Sequence, residues 1–196
     1  MSERDSPLRY EFPLLDFPAS RIVDRARELT VKVCYKDHAV GLVEAWHSRL
    51  PKTQSGPWMF AFSASFEGRT YAVALWNNPS ARGLPQTWLE LRRLAAAPDA
   101  PRNTCSFMLG RMSRYFKLHH PEIERLISYQ DSAVHTGTIY KASNWTQGAV
   151  SKARARDRSK PRVGTRRDYR SNLNGAAPDA AEKIRWEFSL ALKGAA

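Results

Sequence analysis

Between residues 30 and 145 the hydrophobic period switches repeatedly between two and 3.6, and that switching sets the fold class. TVKVCYK at 30–36 has the β-branched alternation of a half-buried strand. In HAVGLVEAWHSRLP (38–51), Ala39, Leu42, Val43 and Trp46 form one apolar helix face, with Pro51 as its stop. The runs WMFAFSASF (58–66) and TYAVALW (70–76) flank Glu67, Gly68 and Arg69 and predict a β-hairpin. NNPSARGLPQ (77–86) is a loop, and WLELRRLAA (88–96) is a strand broken by Pro98 and Pro101. Residues 103–118 predict a helix, with Cys105, Met108, Leu109, Met112 and Phe116 on one face and Arg111, Arg114 and Lys117 on the other. A strand at 125–130, a short helix within 136–145 that stops near Asn144, and a returning strand at 183–192 complete the pattern. The order β-α-β-β-β-α-β-α has long helical crossovers. It implies an α/β (α+β) fold: a mixed β-sheet with helices on both faces, plus a basic C-terminal loop and returning strand. The expected organisation is a 1–29 N-terminal arm with a helical turn or two near its end, a 30–150 core, and a 151–196 segment completing the same domain.

Charge narrows the function. The chain has 196 residues, 42% of them hydrophobic, enough for a real core and too many for wholesale disorder. Its formal net charge is +12, and residues 151–170 hold nine basic and two acidic side chains, seven of those twelve charges. A basic loop pinned by a returning strand suits a polyanion. Lys152, Arg154, Arg156, Arg158, Lys160, Arg162, Arg166, Arg167 and Arg170 are therefore the expected contacts to double-stranded DNA. A solvated tail is the plainer reading of the same run. No apolar stretch approaches the roughly 20 residues of a membrane span, and no bulky amphipathic face accompanies the charge, so no membrane partner is expected. Cys34 and Cys105 read as core thiols of a reducing compartment, and residues 1–13 lack the apolar stretch of a signal peptide, so a cytoplasmic protein is expected. A homodimer stays open.

The junction at 97–106 lies between a strand and a helix. Helix N-termini present unpaired N–H groups and a positive dipole end, a natural seat for phosphate, and Arg102 adds a charge. Asn103 or Thr104 serving only as an N-cap is the simpler alternative. The succession of strand 88–96, this loop, the following helix, strand 125–130 and IYKASNW (139–145) resembles the core of the GNAT acyltransferase superfamily. The resemblance implies that Arg102, Asn103, Thr104, Cys105 and Ser106 hold acetyl-CoA or a related acyl-CoA, and that Tyr140 protonates the departing thiolate. The family's glycine-rich loop is replaced here by RNTCSF (102–107), and the glycine of its L-Y-x-x-x-G-F by Asn144.

A second resemblance covers 30–150. HSRLP (47–51), WNNPS (76–80), LELRRL (89–94), APRNT (100–104), ISYQD (127–131) and HTGTIY (135–140) recur in that order in phage proteins of the Mom type. Those proteins look like divergent GNAT relatives. The resemblance implies modification of the N6 amine of adenine in DNA by a carbamoylmethyl-type group, which protects the DNA from restriction. It places Arg93, Ser106, Asp131 and Tyr140 at polar active-site positions and adds His47. Each has a bland alternative: a surface ion pair for Arg93, a first-turn residue for Ser106, a turn-starting aspartate for Asp131, a packing ring for Tyr140. Alternation along a strand sends only one of Arg92 and Arg93 toward the cleft. An iron requirement associated with the family makes His47, Asp131 and His135 candidate ligands, although no metal-binding spacing supports them. Trp58 and Trp76, bounding the hairpin, are the candidates for stacking on an extruded base. Two rivals remain: an acetyl-CoA-dependent N-acetyltransferase acting on a small amine or protein lysine, and a non-catalytic DNA-binding protein on a GNAT scaffold.

Overall fold

The structure, a computed structural model, describes residues 23–47, 57–81, 83–132, 135–151 and 182–190. The N-terminal arm as far as residue 22 and the whole basic run from 152 to 170 lie outside the described residues.

After a 3-10 turn at Ala26–Glu28 come β1 (Thr30–Val33), α1 (Lys36–Trp46), β2 (Phe60–Phe66), β3 (Arg69–Asn77), β4 (Trp88–Ala96), α2 (Thr104–His119), β5 (Arg125–Asp131), α3 (Thr138–Ala142), β6 (Thr146–Ser151) and β7 (Lys183–Ser189). The strands form one mixed sheet in the order β1-β2-β3-β4-β5-β7-β6. β4 and β5 are its parallel pair, with α2 as the crossover between them. The β2–β3 turn needs only Glu67 and Gly68, because Arg69 already pairs with Phe66. Both turn residues have positive φ (46° and 83°), as a two-residue hairpin turn with right-handed strand twist requires.

Strand alternation sorts the core onto two faces. Ala61, Val73, Leu75 and Ala95 face α1, whose Ala39 and Val43 cover them. Phe62, Ala74, Trp76 and Leu89 face α2, which contributes Met108, Leu109, Met112 and Phe116. The helices therefore cover opposite faces, as expected. Trp58 and Trp76 are core residues, at 8% and 0% exposure, and cannot stack on a base as the sequence suggested. The Trp76 Nε1–H donates to Met112 Sδ at 3.2 Å.

Several bounds differ from expectation, and one strand is new. α1 starts at Lys36 and stops at Trp46, before Pro51 can act. β1 ends at Val33 and, as an edge strand, leaves most of its residues exposed. β6 was not expected, because TQGAVS is exposed at every position and carries no burial signal.

Where β4 meets its neighbours, two irregularities create the site. Leu75 pairs with Arg93 but Trp76 pairs with Leu91, so Arg92 is an extra residue bulged from β4. On its other side β4 pairs with β5 only from Trp88–Arg125 to Leu91–Ser128. Beyond that, β4 runs on to Ala96 beside β3 and β5 runs on to Asp131 beside β7, leaving the sheet open between them.

Candidate functional site

A cleft of about 370 Å³ lies at this opening. β4 supplies Leu91, Arg92, Arg93 and Leu94 to one wall, and β5 supplies Ser128, Tyr129, Gln130 and Asp131 to the other. His47 comes from the end of α1, Cys105 from the start of α2, Lys183 from β7, and residues 135–140 form the rim.

The cleft is bounded from both faces of the sheet. Arg93 pairs with Leu75 and so shares the α1 face. Asp131 pairs directly with Lys183 across β5 and β7, and alternation places both on the face of Glu90, which pairs with Asn77. Ser128 and Tyr140 belong to the α2 face, with Leu91 and Trp186.

Tyr140 is the best-defined side chain. Its hydroxyl lies 2.8 Å from Ser128 Oγ, and Ser128 can also donate to the Leu91 carbonyl at 3.2 Å. That carbonyl belongs to the last β4 residue paired with β5, so the serine serves a group next to the opening. The Tyr140 ring stacks on Trp186 at 5.3 Å between centroids and 12° between planes. Burial pushes the phenol above its ordinary range, against a smaller downward effect from Ser128. Tyr140 therefore stays protonated at neutral pH and can donate a proton.

His47 is held the other way. Burial, then the charge of Arg93, then His135, lower its pKa to about 4. It is a neutral imidazole at neutral pH. His135 lies on the rim, its backbone N–H bonded to the Asp131 carbonyl at 3.0 Å. Among the described residues no three His, Cys, Asp or Glu side chains converge to hold a metal. His47, Asp131 and His135 line one cleft without forming the expected ligand set. His47 enters from the end of α1, whereas Asp131 and His135 belong to the end of β5 and the loop after it. The residues present do not fit a bound iron.

Both Arg92 and Arg93 line the cleft. Alternation predicted only one, and the bulge at Arg92 is why it failed. At the start of α2, Arg102 and Asn103 are exposed and Cys105 alone of residues 102–106 reaches the cleft. Ser106 turns its hydroxyl back to the Asn103 carbonyl at 3.0 Å, so it is not presented to the cleft as expected. Thr104 likewise donates to Pro101 O at 2.6 Å. Asn103 occupies the N-cap position at φ 69°, but its side chain makes no capping bond, and the first turn holds no acid. The Thr104 and Phe107 amides donate to the Pro101 and Asn103 carbonyls at 3.2 and 2.9 Å, which leaves the amides of Cys105 and Ser106 to face a pyrophosphate. Burial pushes the Cys105 thiol up, so it remains a thiol.

The sequence did not point to the rim's anchor. Gln130 accepts from Trp186 Nε1 at 2.6 Å and donates to the His135 carbonyl. Gly137, at φ 74°, sits against both: a Cβ there would lie 2.5 Å from Gln130 Oε1 and 2.6 Å from Trp186 Cζ2. Gly137 was visible in HTGTIY, but its partners are remote in sequence, and no local pattern links them.

Residues 28–177 match the model of the Mom protein family. A comparison with curated proteins finds no match. Among solved structures, a Bacillus subtilis acetyltransferase in complex with CoA superposes with a TM-score of 0.54 at 11% identity, covering 83% of this chain and 99% of that one. The ribosomal-protein-S18-alanine N-acetyltransferase of Escherichia coli gives 0.55 at 11%, covering 85% and 97%. A GNAT family acetyltransferase from Elizabethkingia anophelis with acetyl-CoA bound gives 0.52 at 10%, covering 83% and 98%. The fold is that of the GNAT acetyltransferases.

Proposed function

The chain belongs to the Mom protein family, and from that premise we propose that it is an acyltransferase-like enzyme that modifies the N6 amine of adenine in DNA. The charge of the cleft carries the reading. Its lining holds Arg92, Arg93 and Lys183 against the single carboxylate of Asp131, with His47 neutral. A cationic amine or protein lysine meets net repulsion there. A neutral aromatic amine carried on a polyanion meets attraction.

Adenine N6 is paired inside a duplex, so the base must be extruded to reach the cleft. Asp131, on the α1 face, accepts a proton from N6 as the amine forms its new bond. Tyr140, on the α2 face, donates a proton to the leaving group. Arg93 offsets negative charge developing between them. Acetyl-CoA or a related acyl-CoA, when bound, would supply an activated acyl carbon. The first-turn amides of α2 with Arg102 would hold its pyrophosphate, beside Cys105.

Expressing the chain with its phage accessory factors should place a new deoxyadenosine derivative in cellular DNA, read by mass spectrometry of nucleosides. Asp131→Ala should abolish it. Unmodified DNA under good expression rejects the adenine reading, and acetylated amines in its place favour an ordinary N-acetyltransferase.

The basic run from 152 to 170 is assigned to the DNA backbone. Replacing Arg154, Arg156, Arg158, Arg166 and Arg167 with Gln should flatten the log–log salt dependence of duplex binding by about 0.9 for each phosphate no longer neutralised. It should do so for all sequences alike, because charge pairing with phosphate carries no base information. An unchanged slope rejects the assignment.

A further inference from the structure

We propose that the α1-side mouth of the cleft is a phosphodiester-binding subsite, built by Arg92, Arg93 and Lys183, that grips the backbone phosphate beside the nucleotide whose base enters the cleft. The proposal rests on the reading of DNA as substrate and assigns cations other than those of the basic run.

The β4 bulge is the first support. It puts two consecutive arginines at one opening, which regular pleating would have sent to opposite faces. Lys183 stands on the facing wall, one register pair across from Asp131. Arg92 is the second support. One guanidinium N–H donates to the Asn78 carbonyl at 2.6 Å, which fixes the side chain. Its Nε is buried without a hydrogen-bond partner. Glu90 Oε1 lies 3.8 Å from that nitrogen, an ion pair too long for a hydrogen bond, while Glu90 Oε2 accepts from Ser80 N at 2.6 Å and Ser80 Oγ at 2.9 Å. Guanidinium groups suit a phosphodiester, since their donors match phosphate oxygens in pairs. The positive field of Arg93 also contributes to holding His47 neutral.

Two neighbouring arginines on the same face lie outside the cleft lining. Arg125 and Arg185 both bond Glu187, at 2.5 and 2.8 Å, and lie over the Trp88 ring at 4.6 and 5.5 Å. The cleft mouth, with Arg92, Arg93 and Lys183 in its lining, is where a phosphate fits.

Calorimetric titration of the full chain with 2′-deoxyadenosine 5′-monophosphate and with deoxyadenosine tests the subsite. The monophosphate is expected to bind at least tenfold more tightly, with inorganic phosphate competing. Arg92→Gln and Lys183→Gln should each shrink the preference to threefold or less. Should one variant fail to fold by circular dichroism, the other decides. Saturating desulfo-CoA should leave the preference intact, because the donor's pyrophosphate belongs at α2. Equal binding of nucleoside and nucleotide, no nucleotide binding, a preference that survives both substitutions, or one that desulfo-CoA abolishes would each overturn the proposal. A preference that behaves as expected while cellular DNA stays unmodified supports the subsite and rejects only the adenine reading.

Discussion

Tyr140→Phe is expected to lower adenine modification by roughly 10²–10⁴-fold, the usual contribution of a positioned general acid. The substitution removes one oxygen and leaves the ring stacked on Trp186. Ser128 loses one partner but keeps the Leu91 carbonyl, so the stability cost should be about 1 kcal/mol, the net worth of one hydrogen bond. A large activity loss with a nearly unchanged melting temperature therefore reports the phenol proton. The alkaline side of the wild-type pH profile carries the same signature. Tyr140 acts protonated, and burial raises its pKa, so any loss of activity from its ionisation begins above the ordinary value of 10. Near-wild-type modification by the phenylalanine variant would return Tyr140 to a packing role.

Gly137→Ala should be the most damaging single-methyl substitution at the site. Holding a non-glycine residue at φ 74° costs about 1–3 kcal/mol. Forcing a methyl group into occupied space costs about 1–3 kcal/mol more. Neither neighbour can withdraw freely, because Gln130 is bonded at both ends and Trp186 is stacked on Tyr140. The melting temperature should fall by roughly 4–24 °C for a chain of this size. Modification should fall as well, because the rim carrying His135 is displaced. Gly110→Ala is the control: it lies in α2, exposed, with nothing within 4 Å of an added Cβ. There alanine should be neutral or stabilising, by up to about 1 kcal/mol. A Gly137→Ala protein that melts with the wild type would show that the rim is not locked as described.

The parts of this fold that were legible in the sequence are those where burial imposes a period. β4 was read at its observed bounds, Trp88–Ala96, and α2 was read to within one residue at each end. Where burial is absent the pattern is silent, as in β6, whose six exposed residues gain their strand character from pairing with β7 alone. The bulge at Arg92 was invisible for a different reason. LELRRL is compatible with regular pleating, and only the partner strand reveals which residue is extra. The polar site residues divide in the same way. Arg93, Asp131, Tyr140, His47 and Cys105 meet at the cleft. Ser106 does not, because a first-turn hydroxyl has a carbonyl three residues back within easy reach. Gln130, Ser128 and Lys183 escaped notice because their roles depend on partners brought in by topology.

The strand that finishes the cleft follows the other described strands in the chain. Trp186 reaches back 56 residues to Gln130, stacks on Tyr140, and arrives together with Lys183 opposite Asp131. Until β7 docks, β5 has an open edge on that side, the Tyr140 ring lacks its stacking partner, and the rim lacks its anchor. On a ribosome, the sheet from β1 to β5 and both long helices can assemble while the catalytic opening is still shapeless. Chemical competence thus waits on β7, and a nascent chain can fold most of its core before it has a site with which to touch its substrate.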